Sequence, residues 1–389
     1  MNIGIDARFY GPEAKGLGRY TQELIKHLTG LDRDNQYFVF LRQKDFDKAE
    51  FEAPNFHKVL ADYKPYSLKE QLLLPWKIKS ENIDLMHFTH FNAPIFYRGR
   101  FVVTIHDLIL KKFPTKRAGL LNRLRYAVKD FFYDFCLRAT AGKALKIIAV
   151  SQYTKKDLIK TLGLDSEKIE VIYEGISLIK RGKNKPLDQE RALAKYGVKS
   201  PFLLYVGNAY PHKNLEFLLK AFERLIKKIK GKDLQLVLVG GTDDFYQLLK
   251  GRFHQSCCAA PKQKKKYCLS VVFTGFVSDE ELQALYQSAF CYVFPSLYEG
   301  FGLPGLEAMA YDLPVAAAKA SCLPEIFGSA ALYFNPRDER DFANKMSQFA
   351  EDQFLRQKLT SLGREQAGKF SWEKTARQTL DVYKKLKTF

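Results

Sequence analysis

One stretch constrains this chain more than any other: Phe294-Pro295-Ser296-Leu297-Tyr298-Glu299-Gly300-Phe301-Gly302-Leu303-Pro304-Gly305-Leu306-Glu307-Ala308-Met309-Ala310. Cys291-Tyr292-Val293-Phe294 leads into it with strand composition, and Gly305 to Tyr311 leaves it rich in Leu, Ala and Met, as a helix does. Between them Pro295, Gly300, Gly302 and Pro304 force a strand-to-helix turn with close backbone packing. Such a turn lies at the carboxyl end of a strand, where open α/β sheets bind ligands. Glu299 sits in the turn and Glu307 enters the helix, a spacing that lets both carboxylates face one crevice. An ionised carboxylate only accepts hydrogen bonds, which suits the hydroxyls of a sugar or ribose. The alternative is a Glu299 that closes the turn and a Glu307 on a solvated helix face.

The same alternation runs along the chain. Strand-like runs recur at Ile3 to Ile5, Tyr37 to Leu41, Leu85 to Phe88, Phe101 to Ile105, Ile147 to Val150 and Ile169 to Tyr173. They return at Phe202 to Val206, Leu236 to Val239, Val271 to Thr274, Cys291 to Phe294, Val315 to Ala317 and Ala331 to Phe334. Helical stretches separate several of them, which predicts parallel sheets covered on both faces. At 389 residues the chain fits two domains, and 46% apolar content supplies two cores. The polar segment Ser177 to Lys199 is the predicted linker, dividing a first domain at 1–185 from a second at 186–371. Residues 251 to 270 read as a basic, solvated loop, and Ser371 caps a last helix from Trp372.

Strand ends then nominate the site. Gly16-Leu17-Gly18-Arg19 follows the first strand and opens a helix, either as a phosphate-approaching turn or as a plain tight turn. His106 stands directly beyond Val102-Val103-Thr104-Ile105 and is favoured as a site residue, whereas His87 and His90 read as structural. Lys213 falls just before the helix Leu215 to Ile229, so its ammonium and the helix N-terminus can act together on a phosphate. Two Asp-x-Asp triplets, at Asp32 and Asp45, fall in connections and read as solvated loop residues, so no metal is expected. The six cysteines show no disulfide or zinc framework, a reducing compartment is expected, and no signal peptide or membrane-spanning run is visible.

A net charge of +19 calls for an anionic partner. Lys111 to Lys129 holds seven basic residues and no acidic one, interleaved with Leu120, Leu121, Leu124, Tyr126 and Val128. This segment reads either as a membrane-surface helix or as an ordinary domain helix with a solvated basic face.

With these residues in view, the chain resembles a glycosyltransferase of family 4, group 1. The resemblance is carried by Glu299-x7-Glu307 within Tyr298-Glu299-Gly300-Phe301-Gly302-Leu303-Pro304. The Gly16–Gly18 loop, Ile105-His106-Asp107-Leu108, Val150-Ser151, Val206-Gly207 with Lys213-Asn214, and Gly275-Phe276-Val277 support it. It implies an α/β GT-B fold, with two facing Rossmann-like domains, parallel sheets and an interdomain cleft. The first domain would serve the acceptor and the second the nucleotide sugar, with the last helix, 372–389, crossing back to the first.

The resemblance further implies a retaining, metal-independent transfer of a hexose from a GDP- or UDP-linked donor, mannose from GDP-mannose being one candidate, to a glycan or lipid-linked acceptor. Lys213 would neutralise the donor diphosphate, Glu307 would bind the ribose, and Glu299 and His106 would meet the transferred sugar. Gly16, Gly18, Gly207, Phe301, Gly302 and Leu303 would line the donor. Asn208 departs from the arginine many members carry there; either Lys213 and the helix dipoles suffice, or a basic residue such as His212 or Arg19 compensates. No cofactor is implied, and the enzyme would lie in the cytoplasm, at the inner face of the cell membrane where its acceptor is lipid-linked. A sugar-nucleotide epimerase or a phosphorylase of the same fold is the rival enzyme. A non-catalytic nucleic-acid-binding protein is the rival outside enzymes; charge alone supports it, and no nucleic acid is expected.

Overall fold

The computed structural model describes the chain except residues 12–13, 114–119, 178–188, 230–232, 242, 259–264 and 388–389; at 15, 120–130, 258 and 265–266 it describes the backbone alone. The chain forms two units, Met1–Gly175 with Phe370–Phe389, and Ile176–Lys369. The first holds β1 (Asn2–Asp6), β2 (Gln36–Leu41), β3 (Phe56–Leu60), β4 (Leu85–Phe88), β5 (Phe101–Ile105), β6 (Lys146–Ala149) and β7 (Ile169–Val171). The second holds β8 (Phe202–Val206), β9 (Gln235–Val239), β10 (Val271–Gly275), β11 (Cys291–Phe294), β12 (Val315–Ala318) and β13 (Ala331–Phe334). Their sheets run β3-β2-β1-β4-β5-β6-β7 and β10-β9-β8-β11-β12-β13, and every pairing is parallel.

Each chain half therefore starts in mid-sheet, winds to one edge, and returns to build the other side. The direction of winding reverses between β1 and β4, and again between β8 and β11. There the loops at the carboxyl ends diverge and leave a crevice. Every residue of β4, β5, β11 and β12 is buried, because helices cover both faces, so these strands read as continuous apolar runs. Edge strand β3 exposes His57 and Lys58 and carries no such signal; the sequence pattern alone misses it.

The helix Lys15–Leu31 buries Tyr20, Leu24, Ile25 and Leu28 and packs against the last helix, Trp372–Lys387. Ser371 Oγ accepts from Lys374 N at 3.2 Å, and Tyr383 Oη meets His87 Nδ1 at 2.5 Å, tying that helix to β4. His87 is thus structural, and burial lowers its pKa to about 3, so the ring is neutral. Burial, with the nearby His106, likewise lowers His90 to about 3.

Of the Gly16–Gly18 pair, packing requires only the second. A Cβ on Gly18 would lie 1.8 Å from the Gly11 carbonyl oxygen, whereas one on Gly16 would meet nothing within 4 Å. Gly18→Ala is expected to cost about 1–3 kcal/mol of stability through this clash. Gly16→Ala is expected to leave the melting temperature level or raise it slightly, since alanine is the better helix former by about 1 kcal/mol. Thermal melts of the two variants side by side check the contrast.

Four sequence expectations change. The described residues between 251 and 269 are helical rather than a loop: the helix Asp244–Cys258 runs into the segment and a second helix spans Lys265–Leu269, with Tyr267 buried and its Oη donating to Leu219 O at 2.9 Å. These helices bring Cys257 and Cys268 to a Cα–Cα distance of 5.8 Å, where they form a disulfide; the spacing motifs sought in the sequence do not capture such a helix-to-helix pair. Asp32 is no solvated loop residue. It is buried, and its carboxylate accepts from Tyr37 Oη at 2.6 Å and Asn35 Nδ2 at 2.7 Å; Asp45 is buried too. The expected linker includes a helix, Gln189–Lys195, while residues 178–188 lie outside the described residues.

Candidate active site

The site of the second unit is assembled from loops flanking the β8/β11 reversal. After β8, Gly207 to Tyr210 lead into a single 3-10 turn, Pro211–Lys213, and Asn214 adopts a left-handed φ of 61° before the helix Leu215–Lys228 begins. The Asn214 amide donates to Pro295 O at 3.2 Å and Pro336 O at 2.9 Å, joining the loops that follow β8, β11 and β13. Leu297 N donates to His212 O at 2.7 Å, adding a second cross-link. Held in this way, Lys213 Nζ donates to Glu299 Oε1 at 2.7 Å, with both side chains largely buried. Two residues nominated independently from distant parts of the sequence are therefore in direct contact.

Gly302 turns the chain into the helix Leu303–Ala310 with φ 113°, a conformation that side chains disfavour, and no side chain caps the helix. Pro304 has no amide and Gly305 N donates back to Gly302 O, so the turn offers the Leu303 amide and the positive end of the helix. Glu307 is buried in this helix and accepts from Tyr286 Oη at 3.4 Å. Glu299 is fixed through its own amide, which donates to Ser321 Oγ at 3.0 Å. Phe301 is buried, its carbonyl receiving Cys322 Sγ at 3.1 Å.

Asn208 braces its loop: its Oδ1 accepts from Tyr210 N at 3.3 Å and its carbonyl accepts from Tyr205 Oη at 2.7 Å. Compensation by His212 for the missing arginine does not survive. Burial lowers the His212 pKa to about 4, with Glu299 opposing and Lys213 reinforcing the shift, so the ring is neutral near pH 7. The formal cation among these residues is Lys213.

In the first unit His106 follows β5, and its ring is fully engaged. Nδ1 meets Glu174 Oε1 at 2.8 Å and Nε2 meets Thr89 O at 3.0 Å. A carboxylate and a carbonyl both accept, an arrangement that favours protons on both ring nitrogens. Burial, the largest single influence, works against that charge, but Glu174, the Thr89 carbonyl and Asp107 together outweigh it and the His106 pKa is raised. Tyr20 stands edge-on to the ring at 4.7 Å, and Thr154 Oγ1 donates to the His106 carbonyl at 3.2 Å. No lone pair of the ring is left for general base work.

Below lies a second buried ionic group. Arg8 bonds Asp6 through Nε and Nη2, at 2.8 and 2.7 Å, and Glu70 through Nη1 at 2.6 Å; Asn92 Nδ2 also donates to Glu70 at 2.6 Å. It pins the loops after β1 and β4, the reversal point of that sheet.

Sequence reasoning missed Glu174, Ser321 and Tyr286. Glu174 follows β7 closely, and the strand-end rule that selected His106 was able to select it too. Ser321 and Tyr286 carry no local signal, since their roles arise from contact alone. Of the basic segment Lys111–Lys129, most lies outside the described side chains; Lys111 pairs with Asp134, and Lys112 pairs with Asp157 at 2.8 Å.

Comparison with known proteins gives the family and the fold. The profile described as "Glycosyltransferase Family 4" matches residues 14–180, and that described as "Glycosyl transferases group 1" matches residues 188–366. The O-antigen chain mannosyltransferase B of Escherichia coli is 29% identical over 394 residues, 95% of this chain and 96% of the relative. Sucrose-phosphate synthase from Thermosynechococcus elongatus superposes with a TM-score of 0.74 at 23% identity, over 100% of this chain and 99% of that one. The Anabaena HepE structure in complex with UDP and glucose gives 0.71 at 21% identity, over 99% and 100%. At these identities the structural likeness is one of fold. Two family profiles that tile most of the chain, over two parallel sheets each reversing at a strand-end crevice, establish that the chain belongs to the group 1, family 4 glycosyltransferases and has the GT-B fold.

Proposed function

We propose that this glycosyltransferase moves mannose from GDP-mannose to a growing glycan, with retention of anomeric configuration and without a metal ion or cofactor. The single observation that carries the reading is the Lys213–Glu299 contact, 2.7 Å long, at the reversal point of the second sheet. The near full-length similarity to a mannosyltransferase supports the choice of sugar.

The mechanism follows from charge. Breaking a glycosyl–phosphate bond places negative charge on the departing diphosphate and positive charge on the sugar ring. Lys213 and the uncapped N-terminus at Gly302–Leu303, both fixed before the donor arrives, stabilise the first. Glu299 accepts from hydroxyls of the transferred sugar, and Glu307 from the ribose hydroxyls. Because Glu174 and the Thr89 carbonyl occupy both nitrogens of the His106 ring, its carbonyl rather than its ring is suited to positive charge on the sugar. Gly207 and Asn208 shape the turn through which the diphosphate approaches Lys213. Retention follows from attack on the face that the diphosphate leaves.

A thermal-shift series with GDP, UDP and ADP sugars tests the donor. GDP-mannose is expected to raise the melting temperature most, since a ligand bound only to the native state stabilises by mass action. Glu307→Ala is expected to weaken that shift by about tenfold in nucleotide affinity, two lost charge-assisted hydrogen bonds being worth at least about 1.4 kcal/mol. An unchanged shift removes Glu307 from the donor site. Full activity in excess EDTA is the expected sign of metal independence, and its loss, restored by a divalent ion, overturns that part. The acceptor is lipid-linked on this reading, with Lys111–Lys129 close to an anionic membrane surface.

A further inference from the structure

The helix Leu68–Ser80 is apolar on two sides. One side buries Leu74 and Ile78 in the first unit. The other presents Leu68, Leu72 and Trp76, each four residues from the last, at 82%, 55% and 73% exposure. Residues four apart share one helix face, so these three form a continuous apolar stripe. The stripe is not alone. Ile95 N donates to Gln71 Oε1 at 2.7 Å, which seats the neighbouring Phe96, 63% exposed, beside the same helix. Single exposed apolar residues are ordinary on a protein surface, but three on one helix face with a fourth beside them mark a docking face.

Charge identifies the occupant. The helix has one acidic residue, Glu70, which is buried and bound by Arg8. Its exposed polar residues include Lys69 and Lys79, the latter with Nζ 6.0 Å from the Trp76 ring centroid, and Arg98 is exposed just beyond Phe96. Leucine and tryptophan flanked by lysines is the composition of a helix lying in a lipid headgroup layer: the rings and leucines enter the acyl boundary while the ammonium groups stay among anionic phosphates. Protein–protein interfaces are depleted in lysine, which argues against a second copy of the chain. No described helix is long and apolar enough to cross a membrane, so this contact is one of lying on the surface.

We propose that the Leu68/Leu72/Trp76 stripe, continued by Phe96, is the face by which this enzyme docks on anionic phospholipid. The inference rests on the reading above only for its purpose, which is to bring the site to a lipid-linked acceptor; docking itself is measured without turnover. Vesicles of phosphatidylcholine alone, and of phosphatidylcholine with phosphatidylglycerol, are sedimented with the full chain. The wild type is expected to sediment with the anionic vesicles, and Leu72→Asp/Trp76→Asp to lose that binding on the order of tenfold or more. Lys69→Glu/Lys79→Glu is expected to remove the preference for phosphatidylglycerol.

Because all four positions are solvent-facing, melting temperature and nucleotide-induced shift are expected to match the wild type, which separates this result from any failure of the donor assignment. A wild type that stays in the supernatant overturns the proposal. So does a Leu72→Asp/Trp76→Asp variant that sediments undiminished, and so does a wild-type dimer that this variant dissolves, since the stripe then serves a second copy.

Discussion

Replacing Lys213 with alanine is expected to lower kcat about 10²–10³-fold, the loss measured when a preorganised stabiliser of developing negative charge is removed from an active site. The size follows from preorganisation. Asn214 and Leu297 hold the turn carrying Lys213 against the loop carrying Glu299, so the ammonium is in place before the bond breaks. Neither His212, neutral near pH 7, nor the uncharged Asn208 can stand in for its charge. The fold is expected to suffer much less, by about 1–3 kcal/mol, the cost of leaving the largely buried Glu299 carboxylate without its donor. Lys213→Arg keeps the charge and is expected to recover part of the rate, although a planar fork does not reproduce a point charge. Steady-state kinetics set beside thermal melts decide the matter. A variant with ordinary turnover, or one whose lost activity merely tracks lost folding, removes Lys213 from the chemistry.

Glu174→Ala is expected to have the largest effect on stability, about 3–5 kcal/mol, because it strips one partner from a buried ion pair. His106 and Glu174 are both buried, and the His106 ring is clamped on its other side by the Thr89 carbonyl. The direction with pH is fixed by the raised histidine pKa. Between the ordinary and the raised value the native state holds a proton that the unfolded chain has released. The stabilisation is therefore complete below the ordinary histidine pKa and is lost as pH rises through the elevated folded value. Other titratable groups near the ring are Asp107, whose charge adds to the rise, and His87 and His90, which burial keeps neutral. Urea unfolding at several pH values from about 5.5 to 9 is expected to show wild-type stability declining and the variant losing that slope. Equal slopes in both proteins exclude the pair as its source. The variant's His106 ring is also free to turn, so kcat is expected to fall alongside.

Much of the architecture was written locally. Strands buried on both faces must be apolar throughout, and β4, β5 and β11 stand out from the sequence at nearly their observed limits. The turn from Glu299 to Pro304 was equally legible, because glycine and proline announce the backbone geometry they are needed for. Edge strand β3, half exposed, left no such trace.

By itself the sequence determined the elements, the sharp turn and the candidates at strand ends, since each depends on neighbours a few residues away. Only the tertiary structure decided which candidates meet. Lys213 and Glu299 are 86 residues apart and His106 and Glu174 are 68 apart, joined because sheet order gathers their loops at one end of each sheet. It likewise decided that Leu68, Leu72 and Trp76, apolar enough for any core, face outward. Strand order and helix orientation are settled by packing between distant segments, and a local pattern that specifies a strand or helix holds no record of what lies against it.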